Sequence, residues 1–158
     1  MATLQIRFLG PGTICTDNGA AITVRARKEL AVLVYLLLEQ AQPHSRESLQ
    51  ALFWQDFDSQ SARNNLRVVL SHLQALLPAE QNHHKLLLAN RNHVTINPEG
   101  KLWVDVLEFQ RLIEKTQRHD HASRSSCSEC LRALLAAGDL YAAEFLAGFA
   151  LNDCPAFE

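Results

Sequence analysis

Between Asp58 and Pro78, the residues Leu66, Val69, Leu70, Leu73, Leu76 and Leu77 recur at the three- and four-residue steps of an α-helix. At about 100° per residue they fall on one side. The opposite side carries Asn64, Arg67, Val68, Ser71 and Ala75, with His72 and Gln74 on its flanks. This spacing predicts a helix that begins near Asp58 or Ser59 and ends before Pro78. One face must be buried, and the other is polar without being acidic. No other stretch so narrows the folds open to this chain.

The flanking sequence supplies the rest of the element order. Leu4–Leu9 and Ile22–Arg25 alternate like half-buried strands, and Thr13–Thr16 is a third short strand. Asp17-Asn18-Gly19 between them is a turn, because Asn and Gly accept positive φ. An N-terminal antiparallel sheet is therefore expected. Helical periodicity starts at Arg27, with Leu30, Leu33, Val34 and Leu37 on one face, and Pro43 stops it. Ser45 caps the next helix, Glu47 favours its dipole, and the helix runs out around Trp54. After the long helix, Leu86–Ala89 and His93–Asn97 read as a hairpin with Arg91 at its tip.

Asn97-Pro98-Glu99-Gly100 is the best boundary in the chain. It divides the sequence into expected domains 1–98 and 102–158. Beyond it, Asp105 and Glu108 form a cap signature for a helix bearing Val106, Phe109, Leu112 and Ile113. A polar stretch, Gln117–Ser126, leads to a second helix with Leu131, Leu134 and Leu135, and a third is expected over Leu140–Phe149. The tail, Asn152–Glu158, shows no helix-closing signal, as if a longer chain had been cut.

Composition excludes several classes. At 158 residues with 47% hydrophobic content, the chain can bury a core. Its longest apolar run, Leu30–Leu38, falls well short of the roughly 20 residues that cross a bilayer. The alternating N-terminus is not a signal peptide. A cytoplasmic location is expected, where Cys15, Cys127, Cys130 and Cys154 would not form a disulfide framework. The net charge of −2 is uneven: residues 1–98 hold nine Lys/Arg against seven Asp/Glu, and residues 99–158 hold six against ten. Such asymmetry suggests that the two parts meet different partners.

Strands, three helices and a terminal hairpin match a winged helix-turn-helix, in which the third helix enters the major groove of DNA. The fold class expected is α+β: a winged helix-turn-helix with an N-terminal antiparallel sheet, followed by helices. In family order, the chain contains LQIRFLG, RARKELAVLVYLLL, SRESLQALFWQDFDSQSARNNLRVVLSHLQALL, VTINP, WVDVLEFQRLI and LYAAEFLAGF. On these motifs it resembles the SARP/AfsR-type transcriptional regulators, an OmpR/PhoB-like winged helix followed by a bacterial transcriptional activator domain. The resemblance implies that residues after Leu102 begin an all-α, tetratricopeptide-like domain that continues past Glu158. It also implies a transcriptional activator able to carry ATPase or sensor domains.

That reading assigns DNA contacts to Arg63, Asn64, Arg67, Ser71, His72 and Gln74 on the third helix. Arg91 and Asn92 on the hairpin, Arg27 and Lys28 at the first helix, and Ser45 at a helix N-terminus would hold the backbone. The chain departs from the family at Ser71-His72-Leu73-Gln74, where the family commonly has S-R-L-R. Losing two arginines should lower affinity and flatten its salt dependence. Double-stranded DNA is the expected partner, with RNA polymerase, the protein's own C-terminal domains or a second copy as others. The competing reading is a protein-interaction module with weak or no DNA binding.

One other constellation stands out. His119, His121, Cys127 and Cys130 together offer four zinc-type ligands, although Cys127 and Cys130 also suit plain helix packing. No Gly-rich phosphate loop, nucleophile elbow or H-E-x-x-H helix is present, so neither an enzyme nor a cofactor is expected.

Overall fold

A computed structural model describes the protein over residues 4–77, 85–118 and 127–157. Contacts group the chain into two compact units, each built from two segments. One unit joins Met1–Ala21 to Leu102–Gly148, and the other joins Ile22–Lys101 to Phe149–Glu158. The grouping differs from a cut in chain order, because the first strands go with the second half and the tail goes with the first.

The unit of residues 22–101 and 149–158 contains α1 (Arg27–Leu38), β3 (His44–Ser45), α2 (Arg46–Phe53), α3 (Ser59–Leu76), β4 (Leu87–Ala89) and β5 (His93–Ile96). Two of the helix starts are written in their caps. The Ser45 hydroxyl accepts from the Ser48 amide at 3.0 Å, and the Asp58 carboxylate accepts from the Gln60 and Ser61 amides at 3.0 Å. Val32, Leu33, Leu36 and Leu37 of α1 are fully buried, as are Leu49, Leu66 and Leu73 from the other two helices. The α1 helix ends at Leu38, before Pro43, and its Glu39 carbonyl bonds the His44 ring at 2.8 Å.

The tail completes this core. Phe157 packs on Phe53 at 5.7 Å between ring centroids, and the Cys154 thiol donates to the Leu52 carbonyl at 3.0 Å. The strand expected at Ile22–Arg25 does not form, and only Ala21 bridges to Cys15. Its alternating side chains are merely half-buried, too little to hold an edge strand. Conversely, β3 was not legible: two residues pair with β5 in a sheet of order β3-β5-β4. After β5, Asn97 is buried and bonds the Lys85 carbonyl and the Glu99 amide. A Cβ at Gly100 would meet Leu86 at 2.7 Å and the Asn97 carbonyl oxygen at 3.0 Å, so the turn needs glycine.

The unit of residues 1–21 and 102–148 contains β1 (Leu4–Arg7), β2 (Thr13–Thr16), β6 (Leu102–Val104), α4 (Asp105–Arg118) and α5 (Ser128–Leu140). Its sheet has the order β2-β1-β6, antiparallel between β1 and β2 but parallel between β1 and β6. This corrects both the purely antiparallel N-terminal sheet and the all-α second half, because Leu102–Val104 is a strand that pairs with Leu4–Ile6. Asp105 does more than start α4. Its carboxylate, 2% exposed, accepts from the Phe8 amide at 2.8 Å and the Leu9 amide at 2.9 Å, tying β1 to the helix. Glu108 instead pairs with Arg111 at 2.6 Å.

Two further expectations are corrected here. The helix expected over Leu140–Phe149 does not form, and Leu140 instead ends α5: the Leu146 and Ala147 amides bond the Phe8 and Gly10 carbonyls, and Leu146 takes φ 48°. The buried face of α5 is Cys130, Ala133 and Ala137. Leu131, Leu134 and Leu135 are 43%, 40% and 69% exposed. The covered face of α5 thus consists of small residues, and the leucines stand outward.

Candidate nucleic-acid interface

The α3 helix presents the residues that sequence reasoning singled out. With Leu66, Val69, Leu70 and Leu73 buried, Gln60, Arg63, Asn64, Arg67 and Ser71 form an exposed stripe within roughly 100° of arc. The helix holds no acidic residue, and its two arginines stand one turn apart. Asp58 at the cap is held below the usual carboxylate range by the Ser61 hydroxyl and by first-turn amides. It therefore stays ionised and keeps the helix start fixed. Gln60 and the half-exposed Val68 extend this surface; Val68 was placed on this face without a contact role, and Gln60 was overlooked although the helical period puts it there.

His72 and Gln74 sit on the two flanks and bond within the unit. The His72 Nδ1 is 2.6 Å from Glu29 Oε1 on α1, and the Gln74 amide donates to the Leu87 carbonyl on β4 at 3.2 Å. The positions that depart from the family pattern thus brace α3 against its neighbours. Such bonds to distant elements have no sequence signature.

The β4–β5 hairpin carries Arg91 and Asn92, both exposed. Its turn is stiffened by the Asn90 side chain, which accepts from the Asn92 and His93 amides at 2.8 Å. Arg46 was also overlooked: its Nε donates to the Asn90 carbonyl at 2.8 Å, and its amide bonds the Asn92 carbonyl at 2.8 Å. An additional cation is thereby fixed beside the hairpin tip. The strand β3, immediately before Arg46, creates this junction.

The remaining assigned residues are engaged elsewhere in the unit. Lys28 bonds the Phe53 carbonyl at 2.9 Å and Asp153 at 2.7 Å, with its side chain mostly buried. Arg27 donates to the Ala150 carbonyl at 3.0 Å while remaining exposed. The Ser45 hydroxyl is occupied by capping α2.

Of the four zinc-type residues, His119 and His121 lie outside the described residues. Cys127 and Cys130 stand at the start of α5. Among the described residues, no group of three or more His, Cys, Asp or Glu could hold a metal ion. None of the described helices is long and apolar enough to cross a membrane.

No protein-family model matches the chain, and no curated protein matches it. A solved structure does: Mycobacterium tuberculosis EmbR, determined in complex with a low-affinity phosphopeptide. The match has a TM-score of 0.70 at 23% identity and covers 92% of this chain. The two share a fold. This chain spans 38% of the length of the EmbR chain. At this identity the likeness extends to architecture alone, and it embraces nearly all of the elements described above.

Proposed function

We propose that the chain is a DNA-binding module of a SARP-type transcriptional regulator, and that the unit of residues 22–101 and 149–158 is its winged helix. In this reading α3 lies in the major groove, which is about 12 Å wide and admits one helix. The observation that carries it is the acid-free exposed stripe of Gln60, Arg63, Asn64, Arg67 and Ser71, on the same unit as a stiffened hairpin tip bearing Arg91 and Asn92. Arg63 and Arg67 suit phosphates or guanine edges, Asn64 suits adenine, and Val68 suits a thymine methyl. Arg46, Arg91 and Asn92 suit the backbone beside the wing. His72 and Gln74 then orient the helix, and Lys28 takes no part.

The sequence resemblance and the shared fold with EmbR support this reading. A cytoplasmic protein that engages RNA polymerase, its own further domains or a second copy belongs to the same proposal. Fluorescence anisotropy with a random-sequence duplex at two salt concentrations tests it. Binding should weaken as salt rises, with a log–log slope of about 0.9 per phosphate neutralised. Arg67→Glu, on an exposed position, should reduce affinity roughly 5- to 100-fold. No binding at low salt, or an unchanged affinity for Arg67→Glu, would sink the reading.

A second reading has its own observation. Leu131, Leu134 and Leu135 expose an apolar stripe on α5, within a segment where acids outnumber bases. Loss of DNA binding at all salts would favour a protein-interaction module built on that stripe.

A further inference from the structure

The start of α5 brings together two of the four cysteines. Cys127 is the N-cap residue, in extended conformation with φ −89° and ψ 108°, and Cys130 lies three residues on, in the first turn. Helical side chains lean toward the helix N-terminus, so the Cys130 thiol points back at Cys127. The Cys130 side chain lies within hydrogen-bonding reach of the Cys127 sulfur, and Cys130 is 2% exposed where Cys127 is half-exposed. None of the four cysteines is joined in a disulfide.

We propose that Cys127 and Cys130 form a reversible dithiol–disulfide site, with Cys127 as the attacking thiol and Cys130 as the resolving one. Neighbouring groups favour this division of roles. The Cys130 amide, then the Cys130 thiol and the Glu129 amide, hold the Cys127 thiol below its ordinary value. Glu129 opposes the shift through its charge, but it is paired with Lys115 of α4 at 2.6 Å.

The geometry also permits closure. Side chains three apart on a helix have Cβ atoms about 5–6 Å apart, and a disulfide needs about 3.5–4.5 Å. The difference is within reach of an N-cap residue whose backbone stands outside the helix. Cys154, by contrast, is buried with its proton committed to the Leu52 carbonyl.

The oxidant is a low-molecular-weight disulfide. The Cys127 thiolate attacks one sulfur of that disulfide, forming a mixed disulfide and expelling one small thiolate. Cys130 then gives its proton to solvent and attacks the Cys127 sulfur, expelling the second small thiolate. The protein loses two electrons and two protons, and the small disulfide becomes two thiols. Such bonds in reducing compartments are characteristically transient and redox-sensing. The site is independent of any DNA-binding activity.

Equilibrating the purified chain in glutathione buffers of graded oxidised-to-reduced ratio, then alkylating and mapping peptides, tests the assignment. The expected result is an intramolecular Cys127–Cys130 linkage that reverses on reduction. In Cys130→Ser, a glutathione adduct should accumulate on Cys127. In Cys127→Ser, Cys130 should stay unmodified in the folded chain. Oxidation confined to other cysteines, or Cys127 and Cys130 both alkylated under oxidising conditions, overturns the proposal. So does stoichiometric zinc that co-purifies with the chain and is lost in either variant.

Discussion

The helices α3 and α5 both carry leucines at helical spacing, and they use them in opposite ways. In α3, Leu66, Leu70 and Leu73 are buried and the arginines face out. In α5, Cys130, Ala133 and Ala137 are buried and Leu131, Leu134 and Leu135 face out. A periodic pattern reveals that a helix has two faces. Which face is covered depends on what its partner can accept. Beside α3 stand bulky residues of α1 and α2, which need bulky complements, while the covered face of α5 is cysteine and alanine.

Truncating one leucine from each helix tests the contrast most sharply. Leu73→Ala should cost about 3 kcal/mol, because it removes fully buried methyl groups and leaves a cavity. Leu135→Ala should change stability by less than about 0.5 kcal/mol. Urea denaturation of both variants decides it, and equal losses would mean that the α5 leucines are covered in solution.

A polar tie distinguishes the two units next. In Asp105→Ala, the buried Phe8 and Leu9 amides lose their acceptor, which should cost about 2–3 kcal/mol. The loss should appear first as faster amide exchange in β1. A variant as stable as the parent would show that water replaces the carboxylate. In the other unit, Gly100→Ala should cost about 1–2 kcal/mol in thermal unfolding, because its Cβ presses on the Asn97 carbonyl.

The smallest effect concerns the cap of α3. The Asp58 carboxyl lies below its ordinary value of about 3.9, held there by Ser61 and the first-turn amides. A depressed folded value stabilises the fold above the unfolded one and is lost as pH falls through the folded one. Stability measured between pH 5 and pH 2 should therefore decline less steeply in Asp58→Asn. Parallel curves for parent and variant would remove Asp58 from this account.

Much of the three-helix unit was legible because its signals are local. Ser45 and Asp58 cap helices within three residues of themselves, and the apolar steps from Leu66 to Leu73 occupy one continuous segment. The exposed stripe of Arg63, Asn64, Arg67 and Ser71 follows from the same period. What lay hidden involves distant partners: the His72–Glu29 and Gln74–Leu87 bonds, the hold on Lys28, and Arg46 against the hairpin.

The sequence alone therefore placed α1 to α4 and the hairpin to within a few residues, through caps, turns and periodicity, and for α5 it gave the helix without its bounds. Tertiary structure decided the rest. It joined Leu102–Val104 to the first strand, buried Asp105 beneath Phe8 and Leu9, brought Phe157 back onto Phe53 and turned the α5 leucines outward. Each of these depends on residues that meet only after the chain has closed a long loop, and two- or three-residue strands are too short to announce their partners.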